Sequence, residues 1–396
     1  MFDLAPIQQS LRELGLDGWL LYDFRSSNVL AQRVLGIAPE NAGTRRIFCL
    51  IPASGAPRTL VHRIESGALD HIGGEKTVYL RWQELEAGVG SLVAGLKKIA
   101  MEYSPRNANP YISRVDAGTL ELVRSFGVEV VSSGDLIQLF EAAWSDAQWQ
   151  AHLDAEKHTV SAFDAAWKFI ADNVRSSGSV TEKEVEKVIL DHFAKHDLTT
   201  YHPPIVAVGP NSGDPHYETG AGSTIEIREN DFVLIDLWAR LDNADGVYSD
   251  LTRVGYVGRS VPAKFNNIFA IVAAARDAAI ERVRTAFATG ESISGWQVDR
   301  VTRDVIDRAG YGDKFVHRTG HSIGRETHGN GANIDDLETH DERRILPRTC
   351  FSIEPGIYLD EFGIRSEVNV FIDARKNVHV TGGPLQTEVL PILAEF

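Results

Sequence analysis

The sequence is poor in cysteine, has fewer basic than acidic residues, and lacks long hydrophobic runs. Only two of its 396 residues are cysteines, Cys49 and Cys350, which excludes a disulfide framework and fits a reducing compartment. No run of about 18 apolar residues occurs, so we expect no membrane-spanning segment. The N-terminal segment has no basic stretch followed by an apolar one, so we expect no signal peptide and a cytoplasmic protein.

The charge balance excludes a further class of partner. Acidic residues number 55 and basic residues 40, which gives a net charge of −15. Because binding to nucleic acid requires clustered lysine and arginine, we expect no nucleic-acid partner. An excess of carboxylates can also contain a group that holds cations, and specific spacings are needed to identify one.

Length and pattern indicate two domains, since one domain commonly has about 100–200 residues. Residues 1–145 alternate short apolar strands with helical segments, which predicts a compact α/β domain. The pattern of helical and strand-like segments in residues 146–396 predicts an α+β domain. In the first domain we predict strands at residues 18–22, 47–51, 59–62, 78–80 and 128–131, and helices at residues 92–99 and 117–126.

The second domain has a weak internal repeat. The capping-box pattern Thr181-x-x-Glu184 recurs 113 residues later as Ser294-x-x-Gln297. A helical pattern precedes each one, at residues 147–174 and 263–288, and a strand pattern follows each one, at residues 205–208 and 315–317. The repeat predicts two related halves about a pseudo-two-fold axis, with chance similarity of two capped helices as the alternative.

Five potential metal ligands lie in strand-like segments of the second domain. They are Asp236, Asp250, His321, Glu354 and Glu367. Burying four carboxylates beside apolar strands is costly unless cations neutralise them. Oxygen ligands with one imidazole suit a pair of divalent metal ions, Mn²⁺ first, with Co²⁺ or Zn²⁺ as alternatives. Two such ions would lower the pKa of a shared water and polarise a carbonyl.

The order and context of these ligands resemble the pita-bread metallopeptidases, which include methionine aminopeptidase, aminopeptidase P, prolidase and the related creatinase. The resemblance covers residues 150–396, and residues 1–140 more loosely resemble the creatinase-type N-terminal domain. It implies a pita-bread catalytic domain, whose two halves would account for the repeat, and a homodimer. The most specific segments are His321-Ser322-Ile323-Gly324, Ile353-Glu354-Pro355-Gly356-Ile357-Tyr358 and Gly363-Ile364-Arg365-x-Glu367.

The resemblance implies a role for each ligand. Asp236 would chelate one ion, and Asp250 would bridge both. His321 and Glu354 would hold the second ion, and Glu367 would bridge again. A hydroxide shared by the ions would be the nucleophile, and Glu354 would accept the proton of the water that supplies it.

Four further residues match active-site positions of the aminopeptidase P and prolidase branch. The resemblance implies that the histidines among them hydrogen-bond the substrate carbonyl and the developing oxyanion, and shuttle protons. Taken alone, each histidine would be interpreted as a polar loop residue, and their joint placement favours the active site. The four residues are His216, His317, His328 and Arg365.

The sequence departs from the family pattern between the first two ligands. The two aspartates usually lie eleven residues apart, whereas Asp236 and Asp250 lie fourteen apart. We therefore expect a lengthened hairpin with its tip at residues 241–246. Asp242 and Asp245 could compete as ligands, but Asp236 is preferred because it ends the apolar run. Trp238, where the family has small residues, is expected to wall the pocket or pack in a dimer interface.

Within the resemblance, the branch that hydrolyses the bond between an N-terminal residue and proline is favoured. Methionine aminopeptidases usually lack the first domain, and creatinase works without metal, whereas all five ligands are present here. Proline lacks an amide hydrogen and has a fixed φ, so its peptides need a dedicated pocket. The expected substrates are therefore small peptides with proline in second position.

The compact chain favours an Xaa-Pro dipeptidase (prolidase), in which Arg365 and the histidines are candidates to bind the free carboxylate of the substrate. The alternative is an Xaa-Pro aminopeptidase acting on longer peptides. Less favoured are a metal-free creatinase-like C–N hydrolase and a non-catalytic binding module on the same fold.

Overall fold

The computed structural model describes residues 3–38, 43–220 and 225–396. The chain divides into two compact units, Met1–Glu141 and Ala142–Phe396. The second unit begins just before a long helix that starts at Asp146. Among the helices of these described ranges, none is both long and apolar enough to cross a membrane.

The first unit is a mixed six-stranded sheet with helices on both faces. Its helices are α1 (Leu4–Glu13), α2 (Val29–Leu35), α3 (Trp82–Val93), α4 (Ala117–Ser125) and α5 (Gly134–Glu141). Its strands are β1 (Gly18–Asp23), β2 (Ile47–Pro52), β3 (Arg58–His62), β4 (Glu75–Tyr79), β5 (Lys98–Met101) and β6 (Glu129–Ser132). The strand order is β4-β3-β2-β1-β5-β6, with β1, β2 and β3 antiparallel and the outer pairs parallel.

Alternation along β1 builds the two cores of this unit. Trp19 and Leu21 pack into one apolar cluster with residues of α1, α2 and α5. Leu20 and Tyr22 pack into the other, with residues of α3 and α4. Successive side chains of a strand point to opposite faces, so a strand that is apolar throughout requires cover on both sides.

The helix predicted at residues 92–99 is wrong. Helix α3 ends at Val93, and Gly95 adopts a positive φ of 77° that a helix does not continue through. Residues from Lys98 onward form β5, which pairs in parallel with β1 and β6. The apolar spacing of this short segment is compatible with either structure, and the tertiary pairing decides between them.

Glu102 is a buried carboxyl directly after β5. It accepts hydrogen bonds from Trp19 Nε1 at 2.6 Å, Asn28 Nδ2 at 2.8 Å and Ser133 Oγ at 3.1 Å. Burial raises the pKa of Glu102 to about 7, although these donors lower it. The folded protein therefore keeps the Glu102 proton at pH values where the unfolded chain has lost it.

This difference predicts that the Glu102 carboxyl stabilises the fold fully below its unfolded pKa of 4.5, and that the contribution is lost as the pH rises to about 7. Glu102→Gln stays neutral and lacks this dependence. Its free energy of unfolding relative to wild type is expected to rise by about 3 kcal/mol across that window and then level off. Urea unfolding of both proteins between pH 5 and pH 8 measures this, and a difference independent of pH contradicts it.

The second unit contains two helix pairs and several short sheets. Its helices are α6 (Asp146–Ser177), α7 (Glu182–Lys195), α8 (Ala263–Thr289), α9 (Gly295–Arg308) and α10 (Ile392–Glu395). Its strands are β7 (Ser179–Thr181), β8 (Leu198–Thr199), β9 (Ile205–Val208), β10 (Glu226–Arg228), β11 (Phe232–Leu241), β12 (Ser249–Tyr256), β13 (Ser322–Ile323), β14 (Cys350–Ile353), β15 (Gly356–Tyr358), β16 (Gly363–Arg365), β17 (Val368–Ile372), β18 (Val378–Thr381) and β19 (Leu390–Pro391).

Two sheets of this unit carry the predicted ligands. One has the order β19-β12-β11-β8, with β9 also paired to β11, and the other has the order β13-β14-β17-β18. Helix α6 contributes to the same apolar cluster as β11. Helix α8 contributes to the same cluster as β14 and β17.

The internal repeat is visible in the order of the elements. The helix pair α6–α7 precedes the first sheet, and the pair α8–α9 precedes the second. Thr181 and Ser294 are the N-cap residues of the second helix of each pair. They form the predicted capping boxes with Glu184 and Gln297 respectively. The strand predicted at residues 315–317 is wrong, since that segment follows a 3₁₀ turn and pairs with no strand in the described residues.

Candidate metal centre

The first two predicted ligands lie on adjacent strands of one sheet. Asp236 is in the middle of β11, and Asp250 is near the start of β12. In the antiparallel register Asp236 faces Thr252, and Asp250 faces Trp238, so these four side chains share one face of the sheet. The prediction that Asp236 ends its strand is wrong, because β11 continues past it, paired with β12 as far as Ala239 and with β8 at Arg240 and Leu241.

The lengthened hairpin keeps the competing aspartates away from this face. Asp242 and Asp245 are exposed in the loop between β11 and β12. Trp238 is 8% exposed and packs within its own chain. Its ring centroid lies 6.3 Å from those of Tyr201 and His202, so three aromatic rings gather beside Asp250.

His321 is held in place by backbone contacts with β14. Its N–H donates to Ser352 Oγ at 2.9 Å, and its Nε2 lies 3.5 Å from Asp250 Oδ2 and 3.3 Å from Glu354 Oε1. Gly320 allows this approach, because a Cβ at that position would lie 1.9 Å from the carbonyl oxygen of Ser352. A side chain at residue 320 would therefore push His321 away from the carboxylates.

The two glutamates lie where the end of β14 pairs with the start of the antiparallel strand β17. Glu354 directly follows β14, and its Oε1 accepts a hydrogen bond from Ser352 Oγ at 3.0 Å. Glu367 directly precedes β17, and its Oε2 accepts from Thr252 Oγ1 at 2.8 Å. This contact joins the second sheet to the first, so both sheets supply ligands to one cluster.

Burial and mutual repulsion dominate the electrostatics of the cluster. Burial raises the pKa of Asp236 and raises those of Asp250 and Glu367 well above their usual range. Neighbouring carboxylates add to the last two shifts. Burial also raises the pKa of Glu354 to about 7, against the effect of Arg365. At neutral pH the cluster must therefore bind either protons or cations.

The residues present fit divalent cations. Ligand atoms of Asp250, His321 and Glu367 all lie within 4.8 Å of one another. Within the part of the chain that the structure describes, Asp236 Oδ1 and Glu367 Oε1 are buried without a hydrogen-bond partner, which is costly for a carboxylate unless a cation is bound. Burial lowers the pKa of His321 well below its usual value, so the imidazole is neutral and able to act as a ligand.

Arg365 is a buried cation that orients the cluster. Its Nη2 donates to Asp236 Oδ2 at 2.5 Å, its Nη1 to the Tyr358 hydroxyl at 2.9 Å and its Nε to Thr252 Oγ1 at 3.0 Å. Only 4% of Arg365 is exposed. Each of its three nitrogens thus donates inside the protein, and the binding of a substrate carboxylate by Arg365 stays a prediction.

His317 belongs to the same network through Tyr358. Its Nδ1 lies 2.7 Å from the carbonyl oxygen of Arg318, and its Nε2 lies 2.7 Å from the Tyr358 hydroxyl. Because a carbonyl oxygen only accepts, Nδ1 carries the proton, and the Tyr358 hydroxyl donates to Nε2. Burial lowers the pKa of His317 to about 3, so this arrangement is stable at neutral pH.

The two remaining histidines lie beside the cluster. The His328 ring meets the His321 ring edge-on, with centroids 4.4 Å apart. His328 is accessible to solvent, yet partial burial, with the charges of Arg318 and His216, lowers its pKa to about 4. His216 is exposed, and its backbone N–H donates to Asp214 Oδ1 at 3.0 Å.

Several residues that hold the ligands in place were not predicted from the sequence. Asn369 fixes the Asp250 backbone, since its Oδ1 accepts from the N–H at 3.1 Å and its Nδ2 donates to the carbonyl at 2.6 Å. Several of these residues were predictable from the alternation of side chains along a strand, because each lies two positions from a ligand. The ligand is on the same strand or directly follows or precedes that strand. They are Thr252 beside Asp250, Ser352 beside Glu354, and Asn369 beside Glu367.

Thr252→Val tests whether these residues hold the ligands in place, since the substitution keeps the shape of the side chain and removes the hydroxyl. Glu367 Oε2 then loses its donor, and Arg365 Nε loses its acceptor. We expect metal affinity or turnover to fall about 10–100-fold. Mn²⁺ titration and initial rates measure the effect, with Thr289→Val at the exposed end of α8 as the control. Unchanged affinity and rate would show that the hydroxyl has no such role.

A buried group of carboxylates with one neutral imidazole, set in a unit of two similar α+β halves, is a donor set of the kind that binds divalent metal ions. The family model described as Metallopeptidase family M24 matches residues 150–374, which is more than half of the chain. The chain therefore belongs to metallopeptidase family M24.

Relatives and solved structures agree with this assignment. The chain is 26% identical over 350 residues to the probable dipeptidase PepE of Mycobacterium tuberculosis, covering 87% of this chain and 85% of that protein. It is 34% identical over 210 residues to the Xaa-Pro dipeptidase of Lactobacillus helveticus, covering 52% and 51% respectively. The crystal structure of dipeptidase PepE from Mycobacterium ulcerans matches with a TM-score of 0.66 at 23% identity, covering 98% of this chain and 96% of that one. The predicted pita-bread fold is confirmed.

Proposed function

We propose that the chain hydrolyses the peptide bond between an N-terminal residue and proline, and that its preferred substrates are Xaa-Pro dipeptides. The buried carboxylate cluster with its two unpartnered oxygens, Asp236 Oδ1 and Glu367 Oε1, carries this proposal. Membership of family M24 supports peptide hydrolysis. The names of two relatives, probable dipeptidase and Xaa-Pro dipeptidase, support a short substrate that contains proline.

Two divalent metal ions, with Mn²⁺ preferred, would be held by five side chains. Oxygen-rich donors favour Mn²⁺, and Co²⁺ or Zn²⁺ are the alternatives. When bound, such ions lower the pKa of a water and polarise the scissile carbonyl. The five ligands are Asp236, Asp250, His321, Glu354 and Glu367.

Glu354 is the group that we assign to proton transfer. Burial raises the pKa of Glu354 to about 7, and cations bound at the site would lower it, so its carboxylate would be ionised and able to accept a proton. Ser352 Oγ already donates to Oε1, which leaves Oε2 to accept the proton of the attacking water. The same oxygen then returns that proton to the proline nitrogen as the peptide bond breaks.

His328 would stabilise the oxyanion that develops on the substrate carbonyl. With a pKa of about 4 its imidazole is neutral at pH 7, so it donates one hydrogen bond without repelling bound cations. His216 is exposed next to it and would contact the far end of the substrate. His317 has both ring nitrogens engaged, so its role would be to position Tyr358 and Arg365.

Because each nitrogen of Arg365 already donates inside the protein, we assign the free carboxylate of a dipeptide to another group. Among the residues predicted for this task, the histidines remain, and exposed His216 is the one that we assign. We further propose that the first unit is the creatinase-type N-terminal domain, since the similarity to solved structures extends over 98% of the chain.

The test compares substrates on protein stripped with chelator and then supplied with Mn²⁺. Hydrolysis of an Xaa-Pro dipeptide that depends on metal, with little cleavage of Xaa-Ala or of an Xaa-Pro-Xaa tripeptide, is the expected result. Equal or faster cleavage of the tripeptide would establish an Xaa-Pro aminopeptidase instead. Hydrolysis that persists without metal, or cleavage of neither peptide by metal-loaded protein, would contradict the proposal.

A further inference from the structure

Three histidines gather at a second place in the catalytic unit, on the packed helix pair α6–α7. His192 and His196 are four residues apart at the end of α7, and His158 faces them from α6. The ring centroids of His158 and His196 are 4.1 Å apart, and those of His192 and His196 are 4.6 Å apart. One ring nitrogen of each lies within 4.8 Å of those of the other two.

We propose that His158, His192 and His196 form a second metal site, which binds a Zn²⁺-class transition-metal ion. The site is separate from the candidate catalytic centre, and the inference does not depend on the proposed peptidase activity. His192 lies in the last turn of α7, and His196 is the residue that directly follows the helix, where its ring turns back to within 4.6 Å of the His192 ring. A third imidazole from a neighbouring element completes the three protein ligands common at open zinc sites, with water in the fourth position.

The three histidines are expected to prefer a different metal ion from the one that the catalytic cluster prefers. Three neutral imidazoles suit Zn²⁺, Ni²⁺ or Cu²⁺, whereas carboxylate oxygens suit Mn²⁺. Burial and neighbouring positive charges lower the pKa of His158 and His192, so these two rings are neutral at pH 7 and able to ligate. Each of the three side chains is half-buried, so an ion can enter from solvent.

The geometry requires only a small adjustment. Ligand nitrogens around tetrahedral Zn²⁺ lie about 3.4 Å apart, since each Zn–N bond is about 2.0–2.1 Å. The ring nitrogens of the three histidines now lie up to 4.8 Å apart, and rotation of the half-buried rings would bring them to the shorter distance. His192 Nε2 now contacts Ser161 Oγ at 2.9 Å, a hydrogen bond that ligation through this atom would replace.

The surroundings contain charges of both signs. Lys157 and Lys195 lie close enough to lower the histidine pKa values and oppose a bound cation. Asp154 acts in the opposite direction, and the last carbonyl groups of α7 present the negative end of a helix dipole. Three imidazole ligands outweigh two exposed lysines, because lysine charges are screened by solvent and Lys157 is paired with Asp154 Oδ1 at 2.7 Å.

A bound ion would link α6 to the end of α7. The chain leaves α7 at His196 and, five residues later, reaches Tyr201 beside Trp238. Binding is therefore expected to stiffen the helix pair and the start of this connection. The direct readouts are the number of ions bound and the temperature of unfolding.

The test counts Zn²⁺ on the full chain and on His196→Ala. Both proteins are equilibrated with Zn²⁺, passed over a desalting column and measured by inductively coupled plasma mass spectrometry. Wild type is expected to retain one more Zn²⁺ per chain than His196→Ala, whatever the catalytic centre holds. Zn²⁺ is also expected to raise the melting temperature of wild type by roughly 5 °C more than that of the variant.

His158→Gln, on the opposite helix, provides a second test should His196→Ala fold poorly, and it is expected to lose the same ion. His340→Ala is the matched control, because His340 is half-exposed, pairs with Asp336 and lies outside the cluster. It should retain the wild-type Zn²⁺ content. Equal Zn²⁺ content in wild type, His196→Ala and His158→Gln would overturn the proposal, as would an equal loss in His340→Ala.

Discussion

Asp250→Ala is expected to reduce peptide hydrolysis to background and to lower the amount of Mn²⁺ that the protein retains. Asp250 is buried, and its Oδ2 lies 3.5 Å from His321 Nε2. Its ligand atoms also share a space within 4.8 Å with those of His321 and Glu367. We propose that Asp250 serves both ions, as the resemblance to the pita-bread metallopeptidases implies, so its loss would remove charge and geometry that both require.

The same substitution should leave the fold intact. In metal-free protein the carboxylates of the cluster repel one another, and burial raises the pKa of Asp250 well above its usual range. Removing one such group relieves repulsion, so the metal-free variant is expected to melt at or above the temperature of metal-free wild type. Loss of activity then cannot be attributed to unfolding.

Asp245→Ala is the matched control, because this aspartate is exposed at the tip of the same hairpin. It should keep full activity and metal content. Circular dichroism melts, metal analysis and initial rates on the three proteins complete the experiment. Full activity in Asp250→Ala, or equal losses in both variants, would show that Asp250 has been wrongly assigned.

His328→Ala is expected to lower turnover by about 10²-fold or more while Mn²⁺ stays bound, as loss of an oxyanion donor does. The His328 ring lies against His321 rather than among the carboxylates. His328→Gln retains an N–H donor and is expected to recover part of the rate. Steady-state kinetics together with metal analysis test this. Loss of metal from His328→Ala would instead make His328 a ligand.

Many elements were predictable from local pattern. Capping boxes at Thr181 and Ser294 placed the starts of two helices, because the side chain three residues later completes the cap. The apolar run before Asp236 identified a buried strand. Its end was not predictable, since β11 is extended by pairing with a two-residue strand, β8, that no sequence pattern marks.

The site was predictable only in part, because several of its contacts join residues more than a hundred positions apart. Thr252 meets Glu367, and Arg365 meets Asp236, across different sheets. The engagement of Arg365 by three partners likewise could not be inferred from its neighbours in the sequence. His158 comes to His192 and His196 only through the packing of α6 on α7.

The most direct test of the central claim is to count Mn²⁺ on protein stripped with chelator and then titrated with the ion. We expect two Mn²⁺ per chain, an electron paramagnetic resonance spectrum of a coupled pair, and Xaa-Pro hydrolysis that returns in proportion to the bound metal. Failure to retain Mn²⁺, or full activity in the stripped protein, would contradict it.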